Sequence, residues 1–300
     1  MDRTIRIGTR GSKLALWQAE FTQVKLQEAG YASELVIIKT TGDNTQHLNL
    51  SFDKIEGKGF FTKEIEDALL RGDVDMAVHS MKDMPTSSPE GLVLSAVSYR
   101  DDPSDWLLVR KESIEEGKLF QLKQNPIIGT SSARRKAQLL DLRPDATLKD
   151  IRGNVPTRVD KLMQGEFDAI MLAAAGLSRL ELDLSGVHVI KFDPREFVPA
   201  PAQGVLAYQT CTEDKVMRKV LQHLHHSEVS AVTNIERRIL QLMEGGCQMP
   251  LGVYCEQDAA GNYHVWASKA AAWNAPVKKV RMSSSTSYLL AERVAEELKK

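Results

Sequence analysis

Nothing in the sequence is long and apolar enough to cross a bilayer. The most apolar run, AIMLAAAGL at 169–177, falls well short of the roughly 20 residues a helical span needs. The opening MDRTIRIGTR has no apolar signal core, so a cytoplasmic protein is expected, with no membrane partner. Cysteine is scarce. Cys211, Cys247 and Cys255 make an odd count with no CxxC, which argues against a disulfide framework or a zinc ribbon. Charge of one sign is not in excess either: 39 basic residues face 40 acidic ones, so a generic nucleic-acid binder is excluded and any basic site must be local. There is no P-loop, GxGxxG or GxSxG, and nucleotide and serine-hydrolase chemistry lack their fingerprints. The histidines of HLHH at 223–226 have neither helical i, i+4 spacing nor acidic company; they read as surface helix or linker, and no metal site is expected.

What is present is an α/β pattern that occurs twice. RIGT ends a short β-prone start, Ser12 can cap a helix with Leu14, Trp17, Phe21 and Val24 on one face, Gly30 stops it, and ELVIIKT at 34–40 reads as a buried strand. PIIGTSSARRKAQLL at 126–140 repeats the strand, the Ile-Gly-Thr corner and the helix start. EIEDALLRGDVDMAV and RVDKLMQGEFDAIML then share the order helix, glycine, strand. The pattern predicts two related α/β domains facing a cleft, in the manner of periplasmic binding proteins, with ligand loops at strand ends and helix starts. YRDDPSD (99–105) and FDPREFVPAPAQG (192–204) have linker composition, so the chain should leave the first domain, build the second and return. From about residue 225 the order becomes αβββα, a small α+β domain. The expected division is 1–100 with 200–222, then 104–196, then 226–300. Residues 41–60 show neither period, and Gly57 and Gly59 around Lys58 suit a mobile loop (42–60) or a plain surface loop.

Three constellations could carry chemistry. Arg10, Arg134, Arg135, Arg152 and Arg158 all fall at strand-to-helix corners, where free N–H groups and bidentate guanidinium groups suit an anionic ligand. One such arginine is usually just solvated; five in corresponding places point to a ligand with several carboxylates or phosphates. AVHSMKDMP at 77–85 ends a buried strand in Ser80, Lys82 and Asp83 before Pro85, placing a carboxylate where it can move protons or stabilise a cation, or merely form a surface ion pair. His79 is expected to face the other way, in a structural role. Finally, EGGCQMP at 244–250 displays Cys247 behind two glycines on a turn; a passive thiol, a packed small hydrophobe and a covalent tether all remain open.

Taken with their order, IGTRGSKLALWQA, GKGFFTKEIE, DMAVHSMKDMPT, IGTSSARRKAQL, IRGNVPTRVDKL, LAAAGLSRL, PAPAQGVLA and EGGCQMPLG resemble the porphobilinogen deaminase (hydroxymethylbilane synthase) family over nearly the whole chain. The resemblance implies an enzyme that joins four porphobilinogen molecules head to tail, with loss of ammonia. The chain grows on a dipyrromethane cofactor, attached by a thioether at Cys247, and is released by hydrolysis as hydroxymethylbilane. It implies Asp83 as the catalytic group. It implies Ser80, Lys82, Asp83, Thr130, Ser131, Ser132, Arg134, Arg135, Arg152, Gly153 and Asn154 around the cofactor. Arg10, Ser12, Gln18, Arg152, Arg158, Arg179, Gln203 and Gly204 would meet substrate, and Lys58 would lie in the mobile loop. A monomer without nucleic-acid partners is implied. The segments at 45–55 and beyond HVWASKA depart from the resemblance. The competing expectation is a non-enzymatic polycarboxylate-binding protein on the same scaffold, which would leave Asp83 and Cys247 without a task; a redox protein would need a better-placed resolving thiol than Cys255.

Overall fold

A computed structural model describes residues 3–40, 62–244 and 249–300. The chain forms two compact units, Met1–Asp101 with Gly204–Ala231, and Asp102–Gln203 with Val232–Lys300. The first two crossings between them fall inside the stretches with linker composition.

The first unit is built on five strands, β1 (Ile5–Thr9), β2 (Ser33–Ile37), β3 (Met76–Ser80), β4 (Leu92–Val97) and β10 (Leu206–Cys211). They form one sheet in the order β2-β1-β3-β10-β4. β1 runs parallel to β2 and β3, while β10 pairs antiparallel with β3 and β4. Alternation along β3 sends Met76 and Val78 to one face and Ala77 to the other. Met76 and Val78 join Ile5, Ile7, Leu206 and Tyr208 under Ala19 and Leu26 of helix Lys13–Glu28. Ala77 packs with Ile65, Ala68 and Leu69 of helix Lys63–Arg71. That helix stops at Gly72, whose φ of 75° is left-handed and whose N–H returns to the Leu69 carbonyl at 3.0 Å.

The second unit repeats the plan with β5 (Asp105–Arg110), β6 (Ile127–Gly129), β7 (Thr147–Lys149), β8 (Ala169–Ala173) and β9 (Val187–Lys191). Their sheet runs β7-β6-β8-β5-β9. Here too a parallel set, β6 with β7 and β8, is followed by a strand from elsewhere in the chain, β5, antiparallel to β8 and β9. Leu108, Ile170 and Leu172 pack on one face with Val159 and Leu162 of helix Val155–Met163; Leu107, Val109 and Met171 pack on the other with Leu139 of helix Ala133–Leu142.

A third, antiparallel sheet, β11 (Leu251–Gln257), β12 (Tyr263–Lys269) and β13 (Lys278–Ser284), also falls in this unit. Leu251, Val253 and Cys255 alternate onto a core formed with Ile235 and Ile239 of helix Ser227–Leu242 and Val294 and Leu298 of helix Leu290–Lys299. The αβββα order is as the sequence indicates.

Two expectations change. Among the described residues β2 is an edge strand and not a buried one: Ile37 is 58% exposed, and no described strand covers the far side of β2. The stretch ending at 204 is not a solvated linker. Phe197, Val198 and residues 201–204 are buried, and Gly252 meets the Val198 carbonyl so closely that a Cβ there would lie 2.4 Å from the oxygen. Buried Glu236 accepts from Ala202 N–H at 2.6 Å and from Cys255 N–H at 2.7 Å, tying this segment to the third sheet.

Candidate active site

In the first unit one recess is lined by Arg10, Ser12, Leu14, Ala15, Gln18, Thr62, Val78, His79, Ser80 and Asp83. It sits where β1 and β3 end side by side, so parallel strands put both strand-end corners at one edge of the sheet. β1 passes into Arg10, and Ser12 Oγ accepts from Ala15 N–H at 3.3 Å, capping the helix that follows. One turn in, Gln18 is buried and donates through Nε2 to Ser80 Oγ at 2.8 Å, joining the two corners. β3 then runs into a single 3-10 turn, Met81–Asp83, which leaves Lys82 half-buried and Asp83 exposed in the recess. The recess therefore presents a guanidinium, a carboxylate and three hydroxyl side chains, those of Ser12, Thr62 and Ser80. That mixture suits a small ligand that itself carries both signs of charge.

His79 also lines it. Alternation turns the ring towards helix Lys63–Arg71, away from the Ser80 face, as the sequence indicated; but the recess lies at the strand's very end and reaches both faces. The ring is held neutral, with its pKa down at about 4. Burial is the largest cause and the Arg10 cation adds to it, against a partial rise from Gln209.

The second unit gathers two of the other corner arginines around an acid the sequence reading passed over. Asp105, fully buried at the start of β5, receives Arg134 Nη1 at 2.7 Å, Arg135 Nη2 at 2.7 Å and Nε at 3.1 Å, and Gln203 Nε2 at 3.0 Å. Arg134 also donates to the Val198 carbonyl at 2.9 Å and Arg135 to that of Met171 at 3.1 Å. These two arginines are thus not open forks at a helix start: their side chains are only 6% and 9% exposed, and much of their donor capacity goes to a buried carboxylate. The available signal was DWLLVR, an acid heading an apolar strand, which must find a partner once buried.

The remaining corner residues mostly hold backbone. Thr130 Oγ1 accepts from Ser132 N–H at 3.3 Å, Ser132 Oγ caps at Arg135 N–H, 3.4 Å, and Ser131 Oγ both donates to the Ile151 carbonyl at 2.9 Å and accepts from its N–H at 3.1 Å. This latch brings the Arg152-Gly153-Asn154 corner beside the Ser131 corner. Asn154 Oδ1 caps the next helix at Thr157 N–H, 3.0 Å, and Arg158 Nε donates to the Gly153 carbonyl at 2.8 Å. Arg179 lies buried in helix Ala174–Leu180, and Gly204 accepts from Asp101 N–H at 3.1 Å. Lys58 and Cys247 lie outside the described residues. Among the described residues no group of histidine, cysteine and acidic side chains could hold a metal, and no helix is long and apolar enough to cross a membrane.

Sheets of this order, with polar side chains at the ends of parallel strands, define an α/β protein of the small-ligand-binding kind. The chain belongs to the porphobilinogen deaminase family: the family model described as porphobilinogen deaminase, dipyromethane cofactor binding domain, matches residues 5–219. Among curated relatives, the porphobilinogen deaminase of a Nitratiruptor species is 48% identical over 249 residues, covering 83% of this chain and 77% of that one. That of Chloroherpeton thalassium is 42% identical over 268 residues, covering 88% and 82%. Solved structures with some likeness include an arginine-specific periplasmic binding protein of Salmonella typhimurium (11% identity, TM-score 0.42, covering 74% and 92%). Another is the periplasmic VFT2 domain of Bordetella pertussis BvgS (12%, 0.43, 78% and 93%). Likenesses of this size carry nothing to the site.

Proposed function

We propose that the chain catalyses the head-to-tail condensation of four porphobilinogen molecules, with loss of ammonia and final hydrolysis to hydroxymethylbilane, a step of tetrapyrrole biosynthesis. In a chain of this family, the observation that carries the reading is that Arg10 and Asp83 line one recess together. Porphobilinogen brings the matching groups: two carboxylates, a pyrrole N–H and an aminomethyl group that leaves as ammonia. Arg10 receives a carboxylate through its planar fork. Asp83 accepts the N–H and stabilises the positive charge that develops on the pyrrole as ammonia departs. Gln18, by donating to Ser80 Oγ, leaves the serine proton to donate to the ligand.

The residues present fit a dipyrromethane group, whose acetate and propionate arms call for cations and hydroxyls. Lys82, Arg152, Arg158 and Arg179 would meet those arms, and Cys247 would hold the group by a thioether. When bound it supplies a terminal pyrrole with a free α-carbon as acceptor. Arg134 and Arg135 serve this site first by fixing the Ser132 corner through Asp105, and offer a ligand only their remaining donors. Gln203, which gives its amide to the same carboxylate, belongs with them. We further propose three domains, with 226–300 as the one that carries the Cys247 loop, and a monomer at work in the cytoplasm. A polycarboxylate-binding protein without activity would use the same cations, but would leave Asp83 idle.

Intact mass of the denatured protein tests the reading. The native chain should exceed its sequence mass by two linked pyrrole units, and Cys247→Ser should not. A bare native mass that porphobilinogen cannot increase would overturn it.

A further inference from the structure

The recess has a wall that the proposed chemistry leaves unused. His79 is 6% exposed, and its Nε2 is buried with no hydrogen-bond partner. Pairing of Ala77 with Gln209 and of His79 with Ala207 places His79 and Gln209 diagonally on one face of β3 and β10, within reach of each other's side chains. Gln209 is fully buried; its Nε2 donates to Glu66 Oε1 at 3.1 Å, and Thr62 Oγ1 donates to Glu66 Oε2 at 3.3 Å. The hydrogen-bonded chain thus starts at Thr62, which lines the recess, and ends at Gln209, diagonally beside His79, which lines it too.

The direction of this chain follows from donor chemistry. A glutamate accepts only, so both Thr62 and Gln209 must donate to Glu66. With its amide nitrogen committed, Gln209 can offer the histidine only its carbonyl oxygen, and that oxygen and His79 Nε2 are both buried with no hydrogen-bond partner, each lacking what the other could supply. A ring that donates to an amide oxygen through one nitrogen is fixed as one tautomer, and its other nitrogen is then an acceptor. Acceptors are what an N–H-rich ligand beside Asp83 needs.

We propose that His79 orients the ligand of this recess: with Nε2 turned to the Gln209 carbonyl oxygen, the Thr62–Glu66–Gln209 chain sets its tautomer, and the other ring nitrogen accepts an N–H of the pyrrole or aminomethyl group held beside Asp83. A cationic ring there would repel the developing positive charge that Asp83 serves, and burial beside Arg10 prevents it. The inference rests on the porphobilinogen reading.

Two readouts test it on the full chain. In a nitrogen-15 histidine-labelled sample, the His79 ring (assigned by its loss in His79→Gln) should show one neutral tautomer at neutral pH. Glu66→Gln should mix the tautomers, and added porphobilinogen should shift the accepting nitrogen. On cofactor-loaded enzyme, His79→Phe should lower kcat/KM by about tenfold, the loss of one oriented hydrogen bond, and His79→Gln, which restores an acceptor, should recover most of it. A ring that averages its tautomers, or ignores porphobilinogen in a wild type that turns it over, overturns the proposal. So does a His79→Gln variant as impaired as His79→Phe. Should His79→Phe fail to fold, the ring spectrum decides alone. A wild type that does not consume porphobilinogen at all would instead overturn the enzymatic reading.

Discussion

Asp83 and Asp105 carry the same group into opposite surroundings, one exposed in the recess and one sealed between two guanidinium groups. Their amides should therefore fail in opposite ways. Asp83→Asn keeps the side-chain size, so melting should not move while turnover falls by about two orders of magnitude or more; near-normal turnover would remove Asp83 from the chemistry. Asp105→Asn leaves Arg134 and Arg135 buried without a counter-charge, which should cost about 3–5 kcal/mol in urea unfolding. Burial alone would raise the Asp105 carboxyl, but the two arginines overcome it and hold it well below the ordinary 3.8. Its stabilisation is then complete above about pH 4 and lost as the pH falls towards the folded value, so the acid limb of stability should flatten in the variant. Asp83 was legible because it follows a buried strand and precedes a proline. Asp105 was passed over among the acids of DDPSD: only its place at the head of the apolar run DWLLVR sets it apart, and only β5 shows that the sheet covers it.

At the scale of elements, the strand-to-helix corners differ in what their polar residues do. Ser12 and Asn154 each cap a helix, yet Ser12 lines the recess while Asn154 turns its oxygen onto Thr157 twice, to N–H at 3.0 Å and to Oγ1 at 2.8 Å. Asn154→Ala should then cost about 0.5–2 kcal/mol of stability, and Asn154→Asp much less, as thermal melts would show. Equal losses from both would mean the cap contributes nothing. The corners could be read from Ile-Gly-Thr followed by serine, because cap chemistry is local. The edge position of β2 could not: an apolar run says that a strand will pack, and only the sheet order says on how many sides. The buried residues around Val198 and Ala202 hid for the same reason, the neighbouring prolines reading as linker until the third sheet and its helix covered them.

Over the whole molecule, each five-stranded sheet takes one inner strand from a distant part of the chain. β10 lies between β3 and β4 although more than a hundred residues separate it from either. Leu206, Ala207 and Tyr208 are buried to within 1%, and Leu206 and Tyr208 stand in the core with Ile5, Met76 and Val78. A fragment ending at residue 101 would keep β4 but have nothing to join it to β3, exposing the centre of a sheet and its unpaired backbone groups. That fragment should not melt cooperatively. Asp101 N–H and the Gly204 carbonyl are 3.1 Å apart, so residues 101 and 204 can be joined by a short glycine-serine link that omits 102–203. The joined chain, 1–101 with 204–231, should fold with a cooperative melt and retain the Arg10–Asp83 recess, all of whose lining residues it contains. If the 1–101 fragment alone melted as sharply as the joined chain, β10 would be an addition to the first sheet and not its centre. The duplicated strand pattern was visible in the sequence, and a return of the chain to the first domain at 200–222 was expected; that the returning strand would take an inner place was not visible, because β10 reads like any short apolar strand and only its distant partners give it a place.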